Sequence, residues 1–117
     1  MTEPWPTELK LDKGRRVLTV TYDDGVSFAL PAEFLRVLSP SAEVQGHSPE
    51  QRVTVAGKKS VGIARLEPVG NYAVRIVFDD GHDTGLYVWA YLRELGENRD
   101  ARWQGYLNDL AAKGLSR

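Results

Sequence analysis

Gly70-Asn-Tyr-Ala-Val-Arg-Ile-Val-Phe-Asp-Asp-Gly-His-Asp-Thr-Gly-Leu-Tyr-Val-Trp-Ala-Tyr91 is the stretch from which the rest of the chain is read. Val74, Ile76 and Phe78 alternate with Ala73, Arg75 and Val77, the period of two that a pleated strand with one buried face produces. Asp79-Asp80-Gly81 stops the strand. Asp suits the central positions of a type I turn, and Gly accepts the positive φ that closes such a loop with a bulge, so a hairpin is expected. His82, one of two histidines, then stands where the chain re-enters the sheet.

An earlier segment echoes this one. At an offset of 56, Leu18, Val20, Tyr22, Asp23, Asp24, Gly25 and Leu30 fall on Val74, Ile76, Phe78, Asp79, Asp80, Gly81 and Leu86. With one inserted residue, Leu35, Arg36 and Leu38 fall on Leu92, Arg93 and Leu95. Two amphipathic hairpins can resemble each other by chance, but the shared Leu-Arg spacing beyond the turn favours repetition of a strand-turn-strand-helix unit. Two copies are too few for a solenoid and are expected to share one core.

Outside the echo, Pro4-Trp5-Pro6 is held extended, Glu8 to Leu11 reads as an edge strand, and Trp5 is expected to lie on the body as a lid. Pro31 opens a helix reaching Leu38, since proline at the first helical position costs no hydrogen bond. Ser39 to Ser60 is the longest irregular stretch, and such loops are usually functional or mobile. Val53 and Val55 hint at a strand, and Gly62 to Glu67 at another. After Leu86 the period becomes helical, with Trp89, Leu92 and Leu95 on a helix ending at Gly96. A last helix starts at an Asp100 cap, faces inward with Trp103, Leu107, Leu110 and Ala111, and stops at Gly114. The expected fold is a single α+β domain over residues 1–117: mainly antiparallel β-sheet from two such units, with C-terminal helices packed on it.

The 117 residues suffice for a self-supporting core. Fifteen Lys and Arg against sixteen Asp and Glu leave no basic excess for a nucleic acid or an acidic membrane surface. Absence of cysteine excludes disulfides, thiol nucleophiles and thiolate-held zinc or iron-sulfur clusters. No segment approaches the ~20 apolar residues of a membrane span, and the first residues lack a leader pattern, so a cytoplasmic protein is expected.

Candidate chemistry is sparse. Gly57-Lys58-Lys59-Ser60 lacks the glycine that a phosphate loop needs five positions earlier, where Arg52 stands, and reads as an exposed basic turn. Asp23-Asp24 and Asp79-Asp80 read as turn residues rather than paired acid-base carboxylates. His82 and His47, with Asp80, Asp83 or Glu43, are the minimum from which an iron or zinc site could be assembled. No Gly-x-Ser-x-Gly elbow accompanies the serines. The aromatics Trp5, Tyr72, Tyr87, Trp89, Tyr91, Trp103 and Tyr106 either fill the core or mark a contact surface.

Phe34 to Val44, Pro68 to Val74 and Phe78 to Tyr87 resemble the N-terminal domain of gamma-butyrobetaine hydroxylase, which also occurs as small free-standing bacterial proteins of unknown function. The resemblance runs from Leu9 to about Leu95 and implies a mainly β domain with flanking helices. It implies no hydroxylase activity, because the iron and 2-oxoglutarate site of those enzymes belongs to another, larger domain. In them a histidine matching His82 and three cysteines hold a structural zinc. The cysteine positions fall at or near Ser39, Ser41 and Val44, so the zinc is expected to be lost and no cofactor is expected. A similar domain is appended to P-loop ATPases that handle iron-sulfur clusters, which implies an accessory role and such an ATPase as partner.

The expectation is thus a non-catalytic binding or adaptor domain, a monomer or weak homodimer, meeting a protein partner through Trp5, Lys58, Lys59 and Tyr87. The alternatives are a metal-binding protein using His82 with His47 or a nearby Asp, and a small enzyme of unknown type.

Overall fold

The first turn is closed twice by the same local chemistry. Gly25 and Gly81 adopt φ of 85° and 92°, a region that costs residues bearing a Cβ. Gly25 N–H donates to Tyr22 C=O and Gly81 N–H to Phe78 C=O. In the computed structural model, which describes residues 5–46 and 52–117, each turn joins the second and third strands of a three-stranded antiparallel sheet. One sheet comprises β1 (Pro6–Leu11), β2 (Val17–Tyr22) and β3 (Ser27–Pro31), followed by α1 (Ala32–Val37) and the short α2 (Ala42–Gln45). The other comprises β4 (Ile63–Val69), β5 (Ala73–Phe78) and β6 (Leu86–Val88), followed by α3 (Trp89–Glu97) and α4 (Arg99–Ala112). No described helix is long and apolar enough to cross a membrane.

The repetition is wider than the sequence reading expects, because it includes the first strand of each sheet. Trp5 C=O accepts from Asp23 N–H as Gly62 C=O accepts from Asp79 N–H. The pairing then shifts register between Pro6 and Glu8 in one sheet and between Ile63 and Arg65 in the other. Two ion pairs cross between the units: Arg36 Nε lies 2.8 Å from Asp80 Oδ2, and Arg93 Nη2 lies 2.9 Å from Asp24 Oδ2. Each unit's helix arginine thus holds the other unit's turn. That reciprocity is the physical content of the shared Leu-Arg spacing.

The alignment of the copies needs one correction. Leu30 is fully buried, but its expected counterpart Leu86 is exposed; the buried equivalent is Tyr87. β2–β3 pairs Leu18 with Leu30, and β5–β6 pairs Val74 with Tyr87, so the inserted residue lies before Leu86. Tyr87 is therefore not part of a partner-facing surface: its ring lies in the core and its hydroxyl donates to Leu35 C=O. The insertion also shortens the ladder. In the first sheet pairing extends to Thr21 and Ser27, whereas in the second it stops at Arg75 and Leu86, leaving residues 82–85 off the sheet.

The two units share one core, in which Leu18, Val20 and Tyr22 meet Val74, Ile76 and Phe78, with Phe34 and Leu35 of α1 and Leu92 and Leu95 of α3. α4 adds a smaller cluster through Tyr106 and Leu110 against Val37. Residues 53–56 form no strand, and the long connection contains α2, which the sequence reading left irregular. Trp5 is half exposed rather than folded down as a lid; its N–H donates to Asp23 Oδ1. α4 begins after Asn98, ahead of the expected Asp100 cap.

Gly96 lies inside α3 rather than past its end, and a Cβ there would collide with the Phe28 ring. Gly105 of α4 has no neighbour within 4 Å of that position. Both substitutions to alanine gain about 0.5–1 kcal/mol of helix propensity. Gly105→Ala is expected to show that gain in urea unfolding, whereas Gly96→Ala is expected to lose about 1–3 kcal/mol through overpacking.

Candidate functional site

The segment that leaves the ladder carries His82, and the same turn aims it. Asp80 Oδ1 accepts the His82 N–H at 3.0 Å, the local bond expected of Asp in a turn. The ring packs beside Phe78 and is 6% exposed. Opposite it runs the junction of α1 and α2. Ser41 caps α2, its hydroxyl accepting the Glu43 N–H at 3.2 Å, which sets Glu43 on the first turn with Oε2 3.3 Å from His82 Nδ1. Ser39 Oγ lies 2.9 Å from the other ring nitrogen, Nε2.

The tautomer follows from these neighbours. A carboxylate facing Nδ1 calls for a proton there, so Nε2 accepts from the Ser39 hydroxyl, which in turn accepts from Ser41 N–H at 3.2 Å. Around this chain Ser41 and Thr84 hydroxyls bond at 2.7 Å, and Gln45 Nε2 donates to Ser39 C=O at 2.9 Å. Gly85 completes the fit: a Cβ there would stand 2.6 Å from Ser39 Oγ. Burial lowers the His82 pKa, assisted by the Arg36 charge, and the opposing pull of Glu43 and Asp80 does not restore it.

Asp80 is the electrostatic hub beside the ring. Burial alone would raise its pKa, but hydrogen bonds from Lys58, His82 N–H and Arg36, with the Arg36 charge, bring it down to about 2. Lys58 Nζ lies 2.7 Å from Asp80 Oδ2, so the structure brings Lys58 to the His82 turn. Arg36 Nη1 is buried there without a hydrogen-bond partner. Lys59 is exposed, while Trp5 belongs to the other Asp-Asp-Gly turn through Asp23. His47 lies outside the described residues.

Ser39, His82 and Glu43 stand in the order of nucleophile, base and orienting carboxylate. Ser39 has no exposed surface, however, and the Gly85 backbone closes on its hydroxyl, so a substrate carbonyl has no approach. For zinc the donor set is equally poor. The hydroxyls of Ser39 and Ser41 are neutral and engaged with His82 and Thr84, and the buried Val44 offers no donor. Among the described residues no group of three or more His, Cys, Asp and Glu gathers into a metal-binding set. The Ser39–His82 and Ser41–Thr84 contacts are not foreseen from the sequence, where the serines stand as candidate nucleophiles or at the family's cysteine positions and His82 as a candidate metal ligand.

Residues 9–93 match the family model described as gamma-butyrobetaine hydroxylase-like, N-terminal. Two solved structures, each described only as the NMR solution structure of the protein, superpose with a TM-score of 0.84. They are 49% and 50% identical, over 99% and 100% of this chain and 91% and 90% of theirs. A third, the 1.93 Å crystal structure of a protein of unknown function in the DUF971 family from Acidithiobacillus ferrooxidans, is 37% identical. That match covers 81% of this chain and 98% of the other, with a TM-score of 0.67. No functionally curated protein matches.

The lowered His82 pKa fixes a sign for acid stability. Below the ordinary value of 6.5 the unfolded chain takes up a proton that the folded ring resists, so stability is expected to fall as pH drops from 6.5 toward the folded pKa. Urea titrations from pH 7.5 to 5 should show this slope in the native chain and lose it in His82→Gln. His82→Ala should cost about 2–3 kcal/mol at pH 7.5 through the cavity and the unpaired Ser39 hydroxyl, and Glu43→Gln under about 1 kcal/mol.

Proposed function

We propose that this chain, which belongs to the family of gamma-butyrobetaine hydroxylase-like N-terminal domains, is a non-catalytic, metal-free binding module for a protein partner. One observation carries the reading: Leu86 and Val88 expose large apolar side chains on one face of β6, the open edge of the second sheet, and Tyr72 exposes another in the turn that leads into the neighbouring strand. Val88 pairs with Ala73 and Leu86 with Arg75, and Tyr72 C=O accepts the Trp89 N–H, which brings the Tyr72 turn to the end of β6. Tyr87, between Leu86 and Val88, points the other way into the core, so alternation along β6 turns both neighbours outward. Exposed apolar groups clustered in this way cost solvation unless a partner covers them.

The polar residues that could have supported chemistry support this reading by their enclosure. Ser39 and His82 satisfy each other in the interior and shape the surface from beneath. Lys58 and Lys59, near the same turn, add positive charge beside the apolar edge's sheet, and Trp5 marks the corresponding end of the other unit. The resemblance to domains appended to iron-sulfur ATPases makes such an ATPase the first partner to try, in the cytoplasm, with the module itself a monomer or weak homodimer.

Tagged protein held at native levels is expected to retain one specific partner, and Leu86→Glu or Val88→Glu to abolish retention while leaving the thermal midpoint within about 2 °C of the parent. Retention of nothing, or retention untouched by both charges, would remove the binding reading. Calorimetric titration of metal-stripped protein with Zn(II) and Fe(II) is expected to give no saturable heat. Stoichiometric uptake abolished by His82→Ala would replace the metal-free module with a metal-binding protein.

A further inference from the structure

Glu33 is the one acidic side chain buried among the described residues, and it lies far in sequence from the group that neutralises it. It sits on the first turn of α1 at 8% side-chain exposure. A carboxylate so enclosed is costly without a hydrogen-bonded cation. Arg117 supplies one in fork geometry: Nη2 reaches Glu33 Oε1 at 2.7 Å and Nε reaches Oε2 at 2.9 Å. The same guanidinium lies over the Trp103 ring, 5.2 Å from its centroid. Carboxylate fork and indole face together favour a guanidinium, because an ammonium lacks the two coplanar N–H groups that match both carboxylate oxygens.

The receptor and its occupant differ in how firmly they are held. Glu33, Phe34 and Trp103 are fixed by the packing of α1 on α4, with Phe34 and Trp103 rings 6.3 Å apart. Arg117 is 42% exposed and arrives on a short segment after α4, turned by Gly114 at φ 66° and tied back by Leu115 N–H to Leu110 C=O and Gly57 N–H to Ser116 C=O. With Arg117 in place a cleft of about 280 Å³ still opens beside it, lined by Pro31, Glu33, Phe34, Arg99, Asp100 and Trp103. Asp100 and Arg99 also line that cleft, so with Arg117 displaced it holds two carboxylates against one guanidinium, a balance that favours a cationic entrant.

We infer that the Glu33–Trp103 cleft is a guanidinium-binding site, occupied within the chain by Arg117 and open in exchange to an arginine side chain or another guanidino compound. It is separate from the apolar edge proposed above as a partner surface, and neither depends on the other. A purely structural latch would need the tether between Arg117 and the chain; a binding site needs only the guanidinium.

That difference is the test. In the full chain, Arg117→Ala leaves the carboxylate unpaired, and its thermal midpoint should fall. N-acetyl-arginine amide should restore the midpoint saturably and move the Trp103 indole N–H resonance, assigned through Trp103→Phe. N-acetyl-lysine amide should act about tenfold more weakly, since it lacks the fork. The native chain should bind the arginine amide about tenfold or more below the variant, because tethered Arg117 competes at high local concentration. Glu33→Gln combined with Arg117→Ala should bind neither compound. Failure of the arginine amide to rescue Arg117→Ala, or equal rescue by the lysine amide, would overturn the inference, and neither readout requires the double variant to fold.

Discussion

Arg36 on Asp80 and Arg93 on Asp24 are the same contact made in both directions between two copies of one unit. A lone pair of this kind at a surface is worth little, but these guanidiniums are only 12% and 17% exposed. Arg93 stands 5.0 Å above the Tyr22 ring and 5.6 Å from that of Phe28. Each bridge fixes where one unit's helix meets the other's hairpin, and so fixes how the two sheets close over Leu18, Val20, Val74 and Ile76. The reciprocity is what a self-complementary dimer interface has, here within a single chain.

Against that near-symmetry, one extra residue makes the copies differ in use. In the first unit, the segment after the turn pairs at once, and Ser27 joins the ladder opposite Thr21. In the second, residues 82–85 stand off the sheet, and their polar groups need other partners. The junction of α1 and α2 provides them through Ser39, Ser41 and Glu43. The Phe78 N–H still reaches His82 C=O, as Tyr22 N–H reaches Val26 C=O, but beyond it the segment leaves the ladder and meets the hydroxyls of the α1–α2 junction. The contacts that align a serine, a histidine and a glutamate there also enclose the serine hydroxyl, which has no exposed surface.

Asp80 and Glu33 are charge-paired in the same long-range manner. Asp80 is neutralised by Arg36 and Lys58, and Glu33 by Arg117, each cation arriving from a distant part of the chain. These carboxylates then restrain the segments that bring their partners. The long connection after α2 is tied at Lys58 to Asp80, at Val55 C=O to the Tyr106 hydroxyl and at Lys113 to Thr54, without forming a strand.

Much was legible in the residues alone. Alternation gave β2 and β5 and the faces that enter the core, because a period of two has one simple physical reading once Asp-Asp-Gly ends it, although β5 buries Ala73 and Val77 on its other side as well. The helix over Trp103 and Leu110 and the sharing of one core were legible for the same reason, as was the family, carried by runs local in sequence. Local patterns could not decide Gly96, whose place in α3 depends on the Phe28 ring, or Tyr87, whose burial depends on which side of an insertion the register resumes. Nor could they join Ser39 to His82, or Glu33 to Arg117, since side chains so far apart meet only when sheets and helices have closed. Periodicity and turn chemistry act between neighbours and are written in the chain. Register, burial and the pairing of remote charges are properties of the packed whole, and only the tertiary structure sets them.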